Sequence, residues 1–264
     1  MARSTMAGKY EWRGRRRQGK ARGEKLHVYD PSNLHTAENM ILAALPREER
    51  DHLQQYLGFV LVKPGEVFWG PNQPITSVYF PTSGMVSFVA VMRNGATAEV
   101  GITGREGFVG IPIVLGARYA SVRAIAQSDG GGFRVGSELF QHILPQTPHL
   151  EGMLRRYAYS QLMQLAQGAA CNCLHQVPQR LARWLTMSCD RTGSNVLPLT
   201  QEFLAQMLGC RRSSVTSAMS QLRKAGALRP EHGRVLILDR DRLENRACEC
   251  YRVMRRLSDL ARTG

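Results

Sequence analysis

The length, composition and charge of the chain limit what it can be. Its 264 residues, 43% apolar and 21% charged, are enough for two ordinary domains that each bury a core. No run of about 18 uncharged apolar residues is present, which argues against a membrane span. The basic N-terminus lacks the apolar stretch of a secretory signal. The sequence therefore predicts a cytoplasmic globular protein.

The positive charge is concentrated at the two ends of the chain, whose formal net charge is +14. Residues 1–28 carry nine Lys or Arg against two Glu, and residues 178–264 carry sixteen against eight acidic residues. Clustered basic side chains attract polyanions, so nucleic acid is an expected partner. Because residues 1–28 also lack apolar periodicity, we expect them to form a disordered basic arm.

Residues up to 148 indicate two short helices followed by a β-rich domain. We expect one helix at about 38–45 and a second with Pro46 at its first helical position, which the fixed φ of Pro favours. Between residues 59 and 135, short apolar runs alternate with Gly, Pro and Asn. The Asn-Gly step at 94–95 is a strong hairpin signal, because both residues accept a positive φ. This part of the chain is typical of a β-roll or sandwich.

A long helix is predicted from about 149 to 177, and Pro178 either ends it or starts the next helix. At about 1.5 Å per residue it would be roughly 40 Å long, more than one small domain needs to cover. Its apolar stripe favours a parallel dimer seam, with packing on its own domain as the alternative. The stripe comprises Leu150, Leu154, Tyr157, Leu162, Leu165 and Leu174.

Residues 200–222 have the pattern of a helix-turn-helix. Thr200 can cap the first helix through its hydroxyl group, and Gly209 falls where the turn needs a positive φ. The second helix opens near Arg211 and turns a face of Arg, Ser and Thr outward. Hydroxyl side chains are poor helix formers, so their density there suggests DNA contact. The inward face comprises Val215, Ala218, Met219 and Leu222.

A β-hairpin is expected directly after this motif, with a turn at 231–233 and a returning strand at 234–238. Such a wing would place His232 and Arg234 against the DNA backbone. The alternative is a purely structural helical hairpin. The expected DNA-binding residues are Thr200, Gln201, Arg211, Arg212, Ser213, Ser214, Ser217, His232 and Arg234.

The order of β-roll, long helix and winged helix-turn-helix resembles the Crp/Fnr family of bacterial transcription regulators. The segment LTQEFLAQMLGCRRSSVTSAMSQLRKAGAL carries most of this resemblance. Pro64-Gly65-Glu66 and Gly107–Gly110 resemble landmarks of the family's cyclic-nucleotide-binding-like domain, and VPQRLARWL resembles the start of its DNA-binding domain. The resemblance implies an α+β architecture. Its parts would be a β-roll at 29–148, a dimerisation helix at 149–177, a winged helix-turn-helix at 178–240 and a C-terminal helix or tail at 241–264.

The resemblance also implies partners and roles. The protein would bind double-stranded DNA as a homodimer, on a palindromic operator with half-sites about one helical turn apart, and would act with RNA polymerase. Arg212 is the best candidate for a guanine contact, and Ser213 and Ser217 take the other reading positions. Thr200 and Gln201 would lie on phosphates. The sequence does not decide whether the last helix packs on the wing or on the dimer helix.

The ligand pocket departs from the pattern of the cyclic-AMP-binding members. They have a Glu after the glycine matching Gly110, where this chain has Ile111, and a Ser after the phosphate-binding Arg, where Tyr119 follows Arg118. Leu165 lies about where a hydroxyl residue would reach the adenine. Each polar group left unsatisfied costs about 1–3 kcal/mol, so we expect that cyclic AMP does not bind tightly. The small-molecule effector is unassigned, and a protein partner or no ligand are the alternatives.

The remaining residues indicate no enzyme, no cofactor and no metal. The chain has no GxSxG, HExxH or phosphate-binding glycine loop. Within each close pair, Cys171 with Cys173 and Cys248 with Cys250, the side chains would point to different sides of a helix, which does not favour a metal clamp. The N-terminal cysteine cluster of oxygen-sensing relatives is absent. A thiol- or metal-responsive regulator of the same fold is the alternative function.

Overall fold

The computed structural model of the chain describes residues 39–263. The basic arm at 1–28 lies outside the described residues. Two short helices open the described part, α1 (Met40–Ala43) and α2 (Arg47–Gln54). Pro46 is the N-cap of α2, with φ −52° and ψ 146°, and not its first helical residue as expected. Among the described residues, no helix combines the length and the apolar character that crossing a membrane requires.

Seven strands form the β-roll that the sequence predicted. They belong to two antiparallel sheets, with the strand orders β1-β7-β3 and β2-β6-β4-β5. The hairpin between β4 and β5 turns at Gly95, whose φ of 83° confirms the Asn-Gly prediction. The strands are β1 (Gly58–Val62), β2 (Val67–Trp69), β3 (Ser77–Pro81), β4 (Val86–Val91), β5 (Thr97–Thr103), β6 (Arg123–Ala126) and β7 (Gly130–Gly136). Helix α3 (Ile111–Val114) lies between β5 and β6, and α4 (Ser137–Ile143) follows β7.

The long helix α5 (Pro148–Leu174) begins by packing on this roll. The ring of Tyr157 lies 5.4 Å from that of Phe108, centroid to centroid. Tyr157 also covers Gly107 so closely that a Cβ there would stand 2.0 Å from the tyrosine Cζ. Leu150 and Leu154 are already fully buried in the single chain, without a second copy. The first half of the expected dimer stripe therefore belongs to the core of its own domain, a correction to the sequence prediction.

A break at His175 and Gln176 separates α5 from α6 (Val177–Thr192), so the long helix ends before the predicted residue 177. His175 has extended dihedral angles, φ −110° and ψ 146°. A reciprocal capping box between Gln176 and Gln179 then starts α6, in whose first turn Pro178 lies. Pro178 thus helps to start the next helix, one of its two expected roles.

The C-terminal region forms two helices, α9 (Arg240–Arg246) and α10 (Cys250–Thr263), where the sequence suggested one. Helix α10 lies along α5. The Ser160 hydroxyl donates to the Leu257 carbonyl at 2.8 Å, and Gln164 Nε2 donates to Ser258 Oγ at 3.2 Å. The last helix therefore packs on the long helix, which decides between the two alternatives that the sequence left.

Candidate DNA-binding interface

The helix-turn-helix consists of α7 (Gln201–Leu208) and α8 (Arg212–Lys224). Thr200 is the N-cap of α7, and its Oγ1 accepts a hydrogen bond from the Phe203 amide at 3.1 Å. Gly209 ends α7 in the left-handed conformation, with φ 59°. Both local predictions are confirmed.

Helix α8 has one buried and one open face. The four residues predicted to face inward are all at most 2% exposed, which anchors the helix to its domain. Arg212, Ser213 and Ser217 are exposed, as is Arg211 at the N-cap, whereas Ser214 is half-buried. The N-terminal part of α8 therefore presents two guanidinium and two hydroxyl groups to solvent, a donor set suited to base edges and phosphates.

A hydrogen bond links the two helices at this surface. Thr216 Oγ1 donates to Gln201 Oε1 at 2.7 Å. Because the carbonyl oxygen of Gln201 is engaged, its amide NH₂ group is the part left to donate outward, as a phosphate contact requires. Thr216 is exposed and was not among the expected DNA-binding residues. Its hydrogen bond to Gln201 positions the start of α7.

The wing is a hairpin of β9 (Leu228–Glu231) and β10 (Arg234–Ile237), with β8 (Val196–Leu197) on the other side of β10. His232 is exposed in its turn. Arg234 Nε lies 2.6 Å from Glu231 Oε2, and Arg229 Nη2 lies 3.2 Å from the other oxygen. The hydrogen bond from Arg234 lowers the pKa of Glu231. Sequence reasoning missed this carboxylate, which holds the wing arginine in place.

Polar contacts join the β-roll to the DNA-binding part. Trp184 Nε1, on α6, donates to Glu99 Oε1 at 2.7 Å, and Ser87 Oγ donates to the other oxygen at 2.6 Å. Burial nevertheless raises the pKa of Glu99 to about 7. A second link is the ion pair of Arg191 Nε with Glu106 Oε1 at 3.0 Å, in which both side chains are largely buried.

The residues expected to form the degenerate ligand pocket are not all brought together. Gly110 precedes α3 with φ 143°, and a Cβ there would stand 2.9 Å from Val78. Arg118 and Tyr119 are exposed. Leu165 instead lines a cavity of about 210 Å³ beside Glu99 and Trp184. Gly110, Ile111, Arg118 and Tyr119 are not among the residues that line this cavity.

The structure also assembles a cluster that the sequence analysis did not foresee. Cys171 and His175, at the end of α5, meet Cys248, two residues before α10, and Cys250, the first residue of α10. Cys173 points away to solvent, as expected for the partner of Cys171 on the helix. For Cys248 and Cys250 the expectation was wrong: Cys248 precedes α10 and is not helical, so both thiols can enter one cluster. The spacing of Cys171 and His175, one helical turn, was the signal available.

A β-roll joined through a long helix to a winged helix-turn-helix defines a DNA-binding transcription regulator, and comparisons with known proteins agree. The family described as a Crp-like helix-turn-helix domain matches residues 179–246, and the cyclic nucleotide-binding domain family matches residues 59–146. With both domains in this order, the chain belongs to the Crp/Fnr family of transcription regulators. The relatives and solved structures that it resembles are transcription regulators.

Individual relatives are distant. A CRP-like cAMP-activated global transcriptional regulator of Mycobacterium tuberculosis is 24% identical over 192 residues, 69% of this chain and 85% of that protein. The c-di-GMP-responsive regulator CLP of Xanthomonas campestris shares the fold with a TM-score of 0.60 at 18% identity, covering 73% of this chain and 99% of that chain. A CRP-family regulator of Thermus thermophilus gives the same TM-score and identity, covering 71% and 96%.

Proposed function

We propose that the protein acts in the cytoplasm as a homodimer on a palindromic operator and communicates with RNA polymerase. In this proposal residues 29–148 are the sensor domain, 149–177 the dimerisation helix and 178–240 the DNA-binding domain. The observation that carries it is the open N-terminal face of α8. There Arg212 is available to donate two hydrogen bonds to guanine, with Ser213 and Ser217 beside it. Arg211, Gln201 and the wing would contact phosphates.

Support for the dimer comes from the open face of α5. Apolar or small residues recur there at intervals of three and four, the spacing of a coiled-coil seam. Tyr159 and Leu162 are 63% and 57% exposed, an unusual state for such large apolar side chains. A second copy of α5 would cover them. The proposed seam comprises Tyr159, Leu162, Ala166, Ala169 and Cys173.

Independence from cyclic AMP is also part of the proposal. Ile111 offers no acceptor for a ribose hydroxyl, and Tyr119 follows Arg118 in place of a small hydroxyl residue. Leu165, expected to reach the adenine, lines a cavity of about 210 Å³ that Ile111 and Arg118 do not line. Another small molecule, a protein partner or no effector are the alternatives.

The test is selection of bound sequences from random duplex DNA without added ligand. We expect the wild type to enrich a palindrome. In Arg212→Ala, the preference for one base at one position of each half-site should weaken by about 1–3 kcal/mol. Arg223→Ala is the matched control, since Arg223 is exposed on the same helix but near its C-terminal end. If Arg212→Ala selects the same motif as the wild type, a residue other than Arg212 contacts that base. No enrichment, with or without cell extract, would overturn the proposal.

A further inference from the structure

Three thiols and one imidazole converge where α5, α6 and α10 meet. The ligand atoms of Cys171, His175, Cys248 and Cys250 all lie within 4.8 Å of one another. Cys171 Sγ stands 3.5 Å from Cys248 Sγ, and Cys250 Sγ stands 3.6 Å from His175 Nδ1. All three thiols are buried, at 0%, 3% and 0% exposure for Cys171, Cys248 and Cys250. A buried set of three sulfurs and one ring nitrogen is a donor set that structural zinc sites use.

The spacing fits a single four-coordinate ion. Zinc–sulfur bonds are about 2.3 Å long, so two sulfurs of a regular tetrahedral site stand roughly 3.8 Å apart. The Cys171–Cys248 sulfur separation of 3.5 Å is close to that value, and all four ligand atoms lie within 4.8 Å of one another, so only small side-chain shifts are required. An iron–sulfur cubane is itself several ångströms across and holds its cysteine sulfurs much further apart. The compactness of the cluster therefore favours one zinc ion over a cluster.

The surroundings of His175 and Cys250 are those of metal ligands. While Nδ1 of His175 faces Cys250, its Nε2 lies 3.2 Å from Glu249 Oε1. A carboxylate on the far ring nitrogen is the usual device that fixes the tautomer and orientation of a ligating histidine. Gln167 Nε2 also donates to Cys250 Sγ at 3.1 Å, a contact that would stabilise a thiolate.

We propose that Cys171, His175, Cys248 and Cys250 bind one zinc ion per chain, and that Glu249 orients the histidine. The ion would replace the thiol protons, which binding releases. It would join the end of α5, the His175 break and the start of α10, three segments that meet beside the DNA-binding domain. The site is structural, because all four coordination positions are filled by the protein. This inference does not depend on the operator, the dimer or the effector.

The first experiment measures metal in the full chain purified without chelator or affinity metal. We expect elemental mass spectrometry to find one zinc per chain in the wild type. The zinc should be lost in Cys171→Ser and in Cys248→Ser. Cys173→Ala is the matched control, since Cys173 lies two residues from a ligand but is exposed, and it should retain its zinc. Metal-free wild type that remains folded and does not take up zinc under reducing conditions would overturn the proposal. Iron with acid-labile sulfide, or a Cys171–Cys248 disulfide in the protein prepared under reductant, would do the same.

Two further measurements keep the proposal testable if a cysteine variant fails to fold. Cobalt added to wild type stripped of metal by a chelator should give the intense visible absorption bands of a tetrahedral thiolate site. The weak bands of octahedral cobalt would contradict the proposed site. Glu249→Gln changes a carboxylate that is 73% exposed, so the fold should survive. Its zinc affinity should fall by roughly 10- to 100-fold, as for other residues that orient a ligand. An unchanged affinity would remove Glu249 from the site.

Discussion

Trp184 of α6 donates a 2.7 Å hydrogen bond to the half-buried carboxyl group of Glu99 on β5. This contact crosses from the β-roll to the DNA-binding part of the chain. Glu99 is half-buried, and its desolvation outweighs the donors from Trp184 and Ser87, so its pKa rises to about 7. The carboxyl group thus changes charge near neutral pH at a point where the two functional parts touch.

We predict that Glu99 makes the fold less stable as pH rises. Its folded pKa of about 7 exceeds the value of 4.5 that the carboxyl group has in an unfolded chain. Between these values the folded state holds a proton that the unfolded state has released, so the free energy of unfolding falls with increasing pH and levels off above about 7. The loss amounts to roughly 3 kcal/mol at 1.36 kcal/mol per pKa unit.

Urea unfolding at a series of pH values checks this prediction. In Glu99→Gln the decline between pH 4.5 and 7 should be absent or much reduced, since an amide does not titrate but still accepts from Trp184. Glu202→Gln, an exposed change on α7, should keep the wild-type profile. Parallel profiles for wild type and Glu99→Gln would contradict the raised pKa.

Gly107→Ala should destabilise the protein strongly. The new Cβ would stand 2.0 Å from Tyr157 Cζ, and the buried ring has no room to withdraw without disturbing Phe108. Overpacking of this kind costs about 1–3 kcal/mol or more. Gly136→Ala is the matched control, because its added Cβ meets nothing within 4 Å and its φ is −60°. Equal unfolding midpoints for the two variants would refute the packing argument.

Cys173 should report the dimer by forming a disulfide with its own copy. In a parallel two-fold seam each residue faces its counterpart, and neighbouring backbones come within the 4.4–6.8 Å Cα separation that a disulfide needs. Mild oxidation should therefore give a covalent dimer on a non-reducing gel, lost in Cys173→Ala and retained in Cys210→Ala. A covalent dimer that survives in Cys173→Ala, or a monomer by light scattering, would count against the seam.

Arg211→Ala should weaken binding to all DNA sequences alike. Arg211 is exposed at the N-cap of α8, where a guanidinium group can neutralise a phosphate. The slope of log affinity against log salt concentration should become shallower by about 1, because one counterion fewer is released. Fluorescence anisotropy over a salt series measures this. If the sequence preference changes and the salt slope does not, Arg211 contacts a base and not a phosphate.

The helix-turn-helix was predictable because its signals are local. Thr200 caps α7 through a contact three residues away, and Gly209 supplies the turn by its own backbone. The face of α8 follows from helical periodicity alone. A single sequence is enough for such features, since each depends on residues within a few turns of one another.

The role of α5 and the cysteine cluster were not predictable in the same way. An apolar residue such as Leu154 looks the same on a helical wheel whether it faces its own domain or a second copy, and only the position of the roll decides. Cys171 and Cys248 are 77 positions apart in sequence and meet because α10 lies along α5. Contacts of this kind depend on tertiary packing, for which periodicity holds no information.

Helix α7 of the DNA-binding domain packs directly on strand β5 of the β-roll. A Cβ on Gly209, at the end of α7, would stand 3.5 Å from the Cβ of Ala98 on β5. Gln127, which directly follows β6 of the roll, reaches Met207 Sδ with its Nε2 at 3.7 Å. Close-packed surfaces move together and do not deform smoothly. Amino-acid changes in β5 should therefore alter promoter output although they touch no DNA, and a genetic screen for misregulated alleles should recover this strand together with α8.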